Sequence, residues 1–173
     1  MVRRMICVIA KLDDSATAEL TSVIKRAFPA DKVIKPIYGH ITIASYIGND
    51  EDCFVSSCMD KLGGGKSFDV CFEKIVVLAE TSIIAAIPKR TEQIDDLYNT
   101  IEKMFGNDLD KWSRKEYRCP HTTLYYDPQS DLEGICSLIS GSFVPFFAKV
   151  RAIEFSRVAD NGYDIIARLP MKQ

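Results

Sequence analysis

Imidazole is the side chain whose ordinary pKa lets it give or take a proton near neutrality, and this chain has two of them. Each opens the same tetrad: His40-Ile41-Thr42-Ile43 and His121-Thr122-Thr123-Leu124, a histidine, one residue, a threonine and an aliphatic residue. They stand 121 − 40 = 81 residues apart, close to half of the 173-residue chain. Two imidazoles and two hydroxyls brought to one cleft would supply an acid, a base and two neutral hydrogen-bond donors. That set does proton transfer without a metal.

The elements that must position these groups read as strands. Residues 39–46 and 121–126 are rich in β-branched and aromatic side chains. Alternate residues of a strand share a face, so His40 lies beside Thr42, and His121 beside Thr123. Ile41, Ile43, Thr122 and Leu124 point the other way. The same alternation predicts that Tyr38 and Tyr46 share the His40 face and that Tyr125 shares the His121 face. A cleft tyrosine could stack on a nucleobase; the plainer role of a strand tyrosine is packing. The basic residues Lys111, Arg114, Lys115 and Arg118 precede the second tetrad. They read either as a solvated loop or as a place to gather a substrate phosphate.

Around the tetrads the chain repeats one order. A strand over 5–11 leads to a helix whose apolar face is Ala16, Leu20, Val23, Ile24 and Ala27. Then come the first tetrad strand, a helix on Phe54, Val55, Cys58, Met59 and Leu62, and strand residues over 68–78. From 82 the order begins again: strand, a helix on Ile94, Leu97, Tyr98, Ile101 and Phe105, the second tetrad strand, a helix starting at a Ser130–Glu133 capping box, and strands over 143–155 and 162–169. Phe68-x₃-Phe72-x-Lys74 is echoed by Phe143-x₃-Phe147-x-Lys149. The expected fold is α+β: two pseudo-symmetric lobes, each a mainly antiparallel sheet with helices packed outside and the active cleft between them. One duplicated domain over 1–173 is expected, with halves 1–80 and 81–173.

Composition narrows the function classes. With 47% hydrophobic and 27% charged residues the chain is ordinary globular material. A net charge of −2 excludes a coat for long nucleic acid, but leaves a nucleotide or an RNA end open. The N-terminal run 1–11 is too short before Lys11 for a secretory leader and reads as a buried strand. No apolar run reaches membrane-spanning length. The six cysteines lack Cys-x-x-Cys spacing and are expected as free thiols in a cytoplasmic protein. With two histidines, zinc has little support. Gly63-Gly64-Gly65 lacks the Lys-Ser/Thr ending of a phosphate loop and reads as a helix terminator.

Paired His-x-Thr-aliphatic tetrads in a duplicated chain of this size resemble the 2H phosphoesterase superfamily, which includes bacterial 2′-5′ RNA ligase-like proteins and cyclic nucleotide phosphodiesterases. The resemblance implies His40 and His121 as the catalytic pair, and Thr42 and Thr123 as phosphate-binding hydroxyls. It implies cofactor-free action on 2′,3′-cyclic phosphates or 2′-5′ linkages, with a cyclic nucleotide or an RNA end as partner. Tyr38, Tyr46, Tyr125 and Arg118 are the candidate substrate contacts. Many bacterial RNA ligase-like relatives carry a basic residue just after the second tetrad. Here Tyr125-Tyr126-Asp127 stands instead, which argues against a long RNA. Three readings stay open: hydrolysis, ligation through a 2′-5′ bond, and nucleotide binding with little chemistry. Which histidine is the acid also stays open.

Overall fold

Apolar residues set at helical spacing bury one face of each of four helices, and β-branched runs pair beside them. The computed structural model describes residues 5–159 and 162–173. The order is β1 (Ile6–Leu12), α1 (Asp14–Ala27), β2 (His40–Tyr46), α2 (Glu51–Leu62), β3 (Phe68–Val77) and β4 (Ile83–Pro88). It continues through α3 (Glu92–Phe105), β5 (Thr122–Tyr126), α4 (Leu132–Gly141), β6 (Phe146–Ala159) and β7 (Gly162–Pro170). Residues 1–4 of the N-terminal run lie outside the described residues. Among the described residues no helix is long and apolar enough to cross a membrane.

The fold is α+β, and every strand pair is antiparallel. The strands run in the order β2-β1-β6-β3-β4-β5, with β7 added on β6. This order is symmetric about the β6–β3 pair: each tetrad strand lies outermost, beside the first strand of its own half. The third strands trade places. β6 joins β1 and β2, β3 joins β4 and β5, and the pairing of β3 with β6 from Phe68↔Val150 to Phe72↔Phe146 links the two lobes into one sheet. The helices pair across the halves, α1 with α4 and α2 with α3. One core cluster runs through both halves, taking in Val8, Leu20, Phe54, Phe72, Ile84, Ile101, Ile139 and Phe155.

The α4 cap differs from the sequence reading. Asp131, not Ser130, caps α4 by accepting from Gly134 N. Ser130 instead donates to Asp127, so the capping-box spacing there is coincidental. Asp13 sits at the start of α1 without capping it, because its carboxylate accepts from Lys149 N at 3.0 Å and from Ser15 Oγ at 2.7 Å. That carboxylate ties α1 to β6.

β2 would be an open edge, a liability for any sheet. The 107–118 segment of the other half covers it. Ile47 N donates to Asp108 O at 2.8 Å, Asp110 N to Ser45 O at 2.9 Å, and Ser45 N to Ser113 Oγ at 2.7 Å. The second half therefore grips the strand that carries the first tetrad.

Candidate active site

Alternation puts His40 and Thr42 on the sheet face turned away from the core, where their β1 partners are Lys11 and Ile9. The strand then bulges. Ala44 pairs with Val8 and Thr42 with Ile9, leaving Ile43 as an extra residue. β5 does the same thing at the same place: Tyr125 pairs with Ile84 and Thr123 with Ala85, leaving Leu124 over. In both tetrads the aliphatic fourth residue is the bulge, and a bulge reverses the facing of everything after it.

This reversal corrects two expectations. Tyr46 does not share the His40 face: it is 3% exposed and stacks on Phe54 with ring centroids 4.1 Å apart. Ser45 takes the cleft-side position instead, opposite Cys7. Tyr125 does not share the His121 face. It packs on Phe28 at 5.3 Å, at the end of α1, with Lys32 over its ring. Arg118 reaches the cavity beside His121 with its guanidinium already engaged. Its guanidinium donates to Asp95 Oδ1 at 2.9 Å and lies 4.2 Å from the centre of the Tyr98 ring, which anchors it on α3. Tyr38 does lie beside His40, with centroids 5.9 Å apart.

The two imidazoles are held alike. His40 Nδ1 lies 2.6 Å from Tyr38 O, and His121 Nδ1 lies 2.7 Å from Cys119 O, each a carbonyl two residues upstream. A carbonyl can only accept, so Nδ1 carries the proton in both rings and Nε2 is left with the lone pair when the ring is neutral. The strands that carry them also meet: Thr122 Oγ1, fully buried, donates to His40 O at 2.6 Å. The outermost strands of the sheet are thereby fastened together at the tetrads. Thr42 and Thr123 are half-buried beside the histidines.

Their surroundings differ. His40 is 6% exposed, and Tyr163 of β7 meets its ring edge-on at 4.7 Å. Tyr38 stacks on Tyr163 at 5.1 Å and donates its phenol to Glu154 Oε2 at 2.5 Å; Glu154 is 2% exposed and pairs with Arg168. Lys11 Nζ lies over the Tyr38 ring and donates to Gly39 O at 3.2 Å. Position 39 admits only glycine without rearrangement, since a Cβ there would stand 2.2 Å from Thr17 Oγ1 of α1. Burial pushes the His40 pKa down to about 4 against the Tyr38 carbonyl, which favours the proton; charge on His121 or Lys11 lowers it further. Burial lowers His121 as well, opposed by the Cys119 carbonyl. Burial, then the bond to Glu154, drive the Tyr38 phenol far above its ordinary value.

Beside His121 opens a cavity of about 560 Å³. Thr42 and His121 reach it from the two tetrads, and Leu78, Ile83, Trp112 and Tyr117 supply apolar and aromatic walls. Lys11, Glu154, Tyr163 and Ser45 escape a reading of the sequence, because strand register and the bulge bring them to the tetrads. Thr122 had a visible signal, a second hydroxyl inside the motif, but alternation alone turned it into the core.

No family model matches the chain, and no curated protein matches it in sequence. Its fold is nonetheless found among solved structures. E. coli LigT complexed with 3′-AMP aligns with a TM-score of 0.67 at 12% identity, covering 99% of this chain and 98% of that one. A phosphoesterase aligns at 0.64 with 15% identity over 99% of both chains. The protein TT0787 of Thermus thermophilus aligns at 0.65 with 13% identity over 98% of both. The fold of the whole chain is thus the fold of LigT.

Proposed function

We propose that the protein is a metal-independent phosphodiesterase that opens 2′,3′-cyclic phosphates of nucleotides or RNA ends, with His40 and His121 as its acid–base pair. One observation carries this reading: the two imidazoles, on strands fastened to each other, are locked by the same carbonyl contact, with Nε2 unpartnered among the described residues. A structural histidine needs no such duplication. LigT, which shares the fold, binds 3′-AMP, a nucleoside carrying phosphate where a cyclic ester would open.

The surroundings support a division of roles. His40 loses its proton more readily, held down to about 4, so the first proton taken up by the pair resides on His121. His40 Nε2 then accepts a proton from water as the water oxygen attacks phosphorus. The bond from phosphorus to one ribose oxygen breaks, and His121 Nε2–H protonates that oxygen. The product is a phosphate monoester. Turnover leaves His40 protonated and His121 neutral, and exchange with solvent resets them. Thr42 and Thr123 donate to the non-bridging oxygens, where negative charge builds. The dianionic transition state favours protonated imidazole, opposing the effect of burial.

The depression of both imidazoles favours a second reading, nucleotide binding with little turnover, because a free site at neutral pH is short of an acid. The test is hydrolysis of a 2′,3′-cyclic mononucleotide and of a short RNA with that end, in EDTA, for the wild type, His40→Ala and His121→Ala. Turnover in EDTA that collapses in both variants supports the enzyme. Nucleotide bound without turnover supports the binding module, and turnover that survives either variant removes the two-histidine mechanism.

A further inference from the structure

A second cavity, of about 460 Å³, lies on the other side of the segment that leads into the second tetrad. Cys119 forms part of the wall of both cavities; its carbonyl holds His121. Ile87 of β4 also lines the second cavity. Ala86 pairs with Thr122, which sets Ile87 across from His121. The second cavity therefore begins where the His121 site ends.

The charges lining the two cavities are opposite. The first carries Glu80, Asp110 and Glu116 against Arg118. The second carries Lys89, Arg90, Lys115 and Arg118 against Asp95 alone. Asp95 is already shared: Arg90 and Arg118 each take one of its oxygens, and although burial opposes ionisation, these bonds hold its carboxyl below the usual range. One carboxylate cannot neutralise four cations, so the lining keeps an excess of positive charge in a chain whose net charge is −2. Arg118 Nε is buried without a hydrogen-bond partner among the described residues. Unneutralised, convergent cations around a cavity of this size suit an anion, and guanidinium and ammonium groups suit phosphate.

We infer that this second cavity is a subsite for a second phosphoryl group of the substrate. The inference rests on the phosphodiesterase reading of the tetrads. The substrate would lie across His121 with one polarity, its uncharged ring side in the acidic, aromatic-walled cavity and its further phosphate among Lys89, Arg90 and Lys115. The further phosphate is either a terminal monoester or the diester of a next nucleotide.

Calorimetric titration separates these possibilities without requiring turnover. The probes are 3′-AMP, adenosine 3′,5′-bisphosphate and a 3′-phosphorylated adenosine dinucleotide, each at low and at moderate salt. A probe with the second phosphate should bind at least about tenfold tighter than 3′-AMP, as a charge-assisted contact implies, and added salt should shrink that advantage. Gain with the bisphosphate alone identifies a terminal phosphate; gain with the dinucleotide identifies a strand phosphate. The variant Lys89→Ala/Arg90→Gln/Lys115→Ala, changed only at exposed positions, should lose the advantage, and Lys115→Glu alone should reduce it. Equal affinities for all three probes, or an advantage that survives the triple variant, would overturn the subsite. A preserved advantage in a protein that does not hydrolyse cyclic phosphates would support the subsite while removing the catalytic reading.

Discussion

The two tetrads carry the same pattern, the same carbonyl lock and the same bulge, yet they stand in unlike surroundings. His40 lies under Tyr163 and Tyr38, with the Lys11 amine and the buried Glu154 carboxylate behind them. His121 stands at the end of a loop in the wall of one cavity, and a second cavity of opposite lining charge shares Arg118 and Cys119 with it. The shared features fix which nitrogen of each ring is reactive, and the unshared ones decide how readily that nitrogen holds a proton. The repeated tetrad supplies two equivalent bases; burial makes one of them a poorer proton holder than the other.

The sharpest way to break this comparison is to remove each imidazole and follow pH. Each alanine variant should lose about 10²–10⁴-fold in kcat/KM. The wild-type profile should be a bell, flanked on the acid side by protonation of His40 near 4 and on the alkaline side by loss of the His121 proton below the ordinary 6.5. Residual activity of His40→Ala should lack the acid limb, and that of His121→Ala the alkaline limb. Exchange of those limbs would reverse the roles, and a flat wild-type profile between pH 5 and 8 would remove the mechanism.

Stability should report the same burial. His40 binds a proton less readily folded, near 4, than unfolded, near 6.5. Its contribution is therefore fully present above pH 6.5 and drains away as pH falls toward 4, by up to about 3 kcal/mol. Urea unfolding between pH 7 and 4 should show that slope in the wild type and a shallower one in His40→Gln. Parallel slopes would show that His40 is not buried as described.

A smaller effect tests the fastening of the strands. Thr122→Val keeps the shape and leaves the His40 carbonyl without the hydroxyl, for an expected loss of about 1–3 kcal/mol. Thr122→Ser should restore most of it, and a Thr122→Val protein as stable as the wild type would dismiss the bond. The smallest change expected is Tyr125→Phe, whose ring packs on Phe28 away from the tetrads. Its kcat/KM should stay within about twofold, and a tenfold loss would return Tyr125 to the cleft.

Much of this molecule is legible in its residues. All four helices and the order strand, helix, tetrad strand, helix, strands in each half follow from apolar spacing. His40 beside Thr42 and His121 beside Thr123 follow from alternation, because that stretch precedes the bulges. Tyr46 and Tyr125 depart from simple alternation because a bulge is a property of two paired strands, and nothing in Ile43 or Leu124 announces which residue will lack a partner. The ion pair that holds Arg118 is hidden for a similar reason: its carboxylate, Asp95, stands 23 positions away on α3.

Residue order was enough to set the chemistry on offer, two imidazoles each next to a hydroxyl, since side-chain type and strand period are local properties. Tertiary packing alone decided the rest: which ring nitrogen is free, which histidine is buried deeper, and that the third strand of each half joins the other. Proton affinity depends on every charge and dipole near the ring, and the groups around His40 come from β1, β6, β7 and the His121 end of β5, which only the folded sheet brings together.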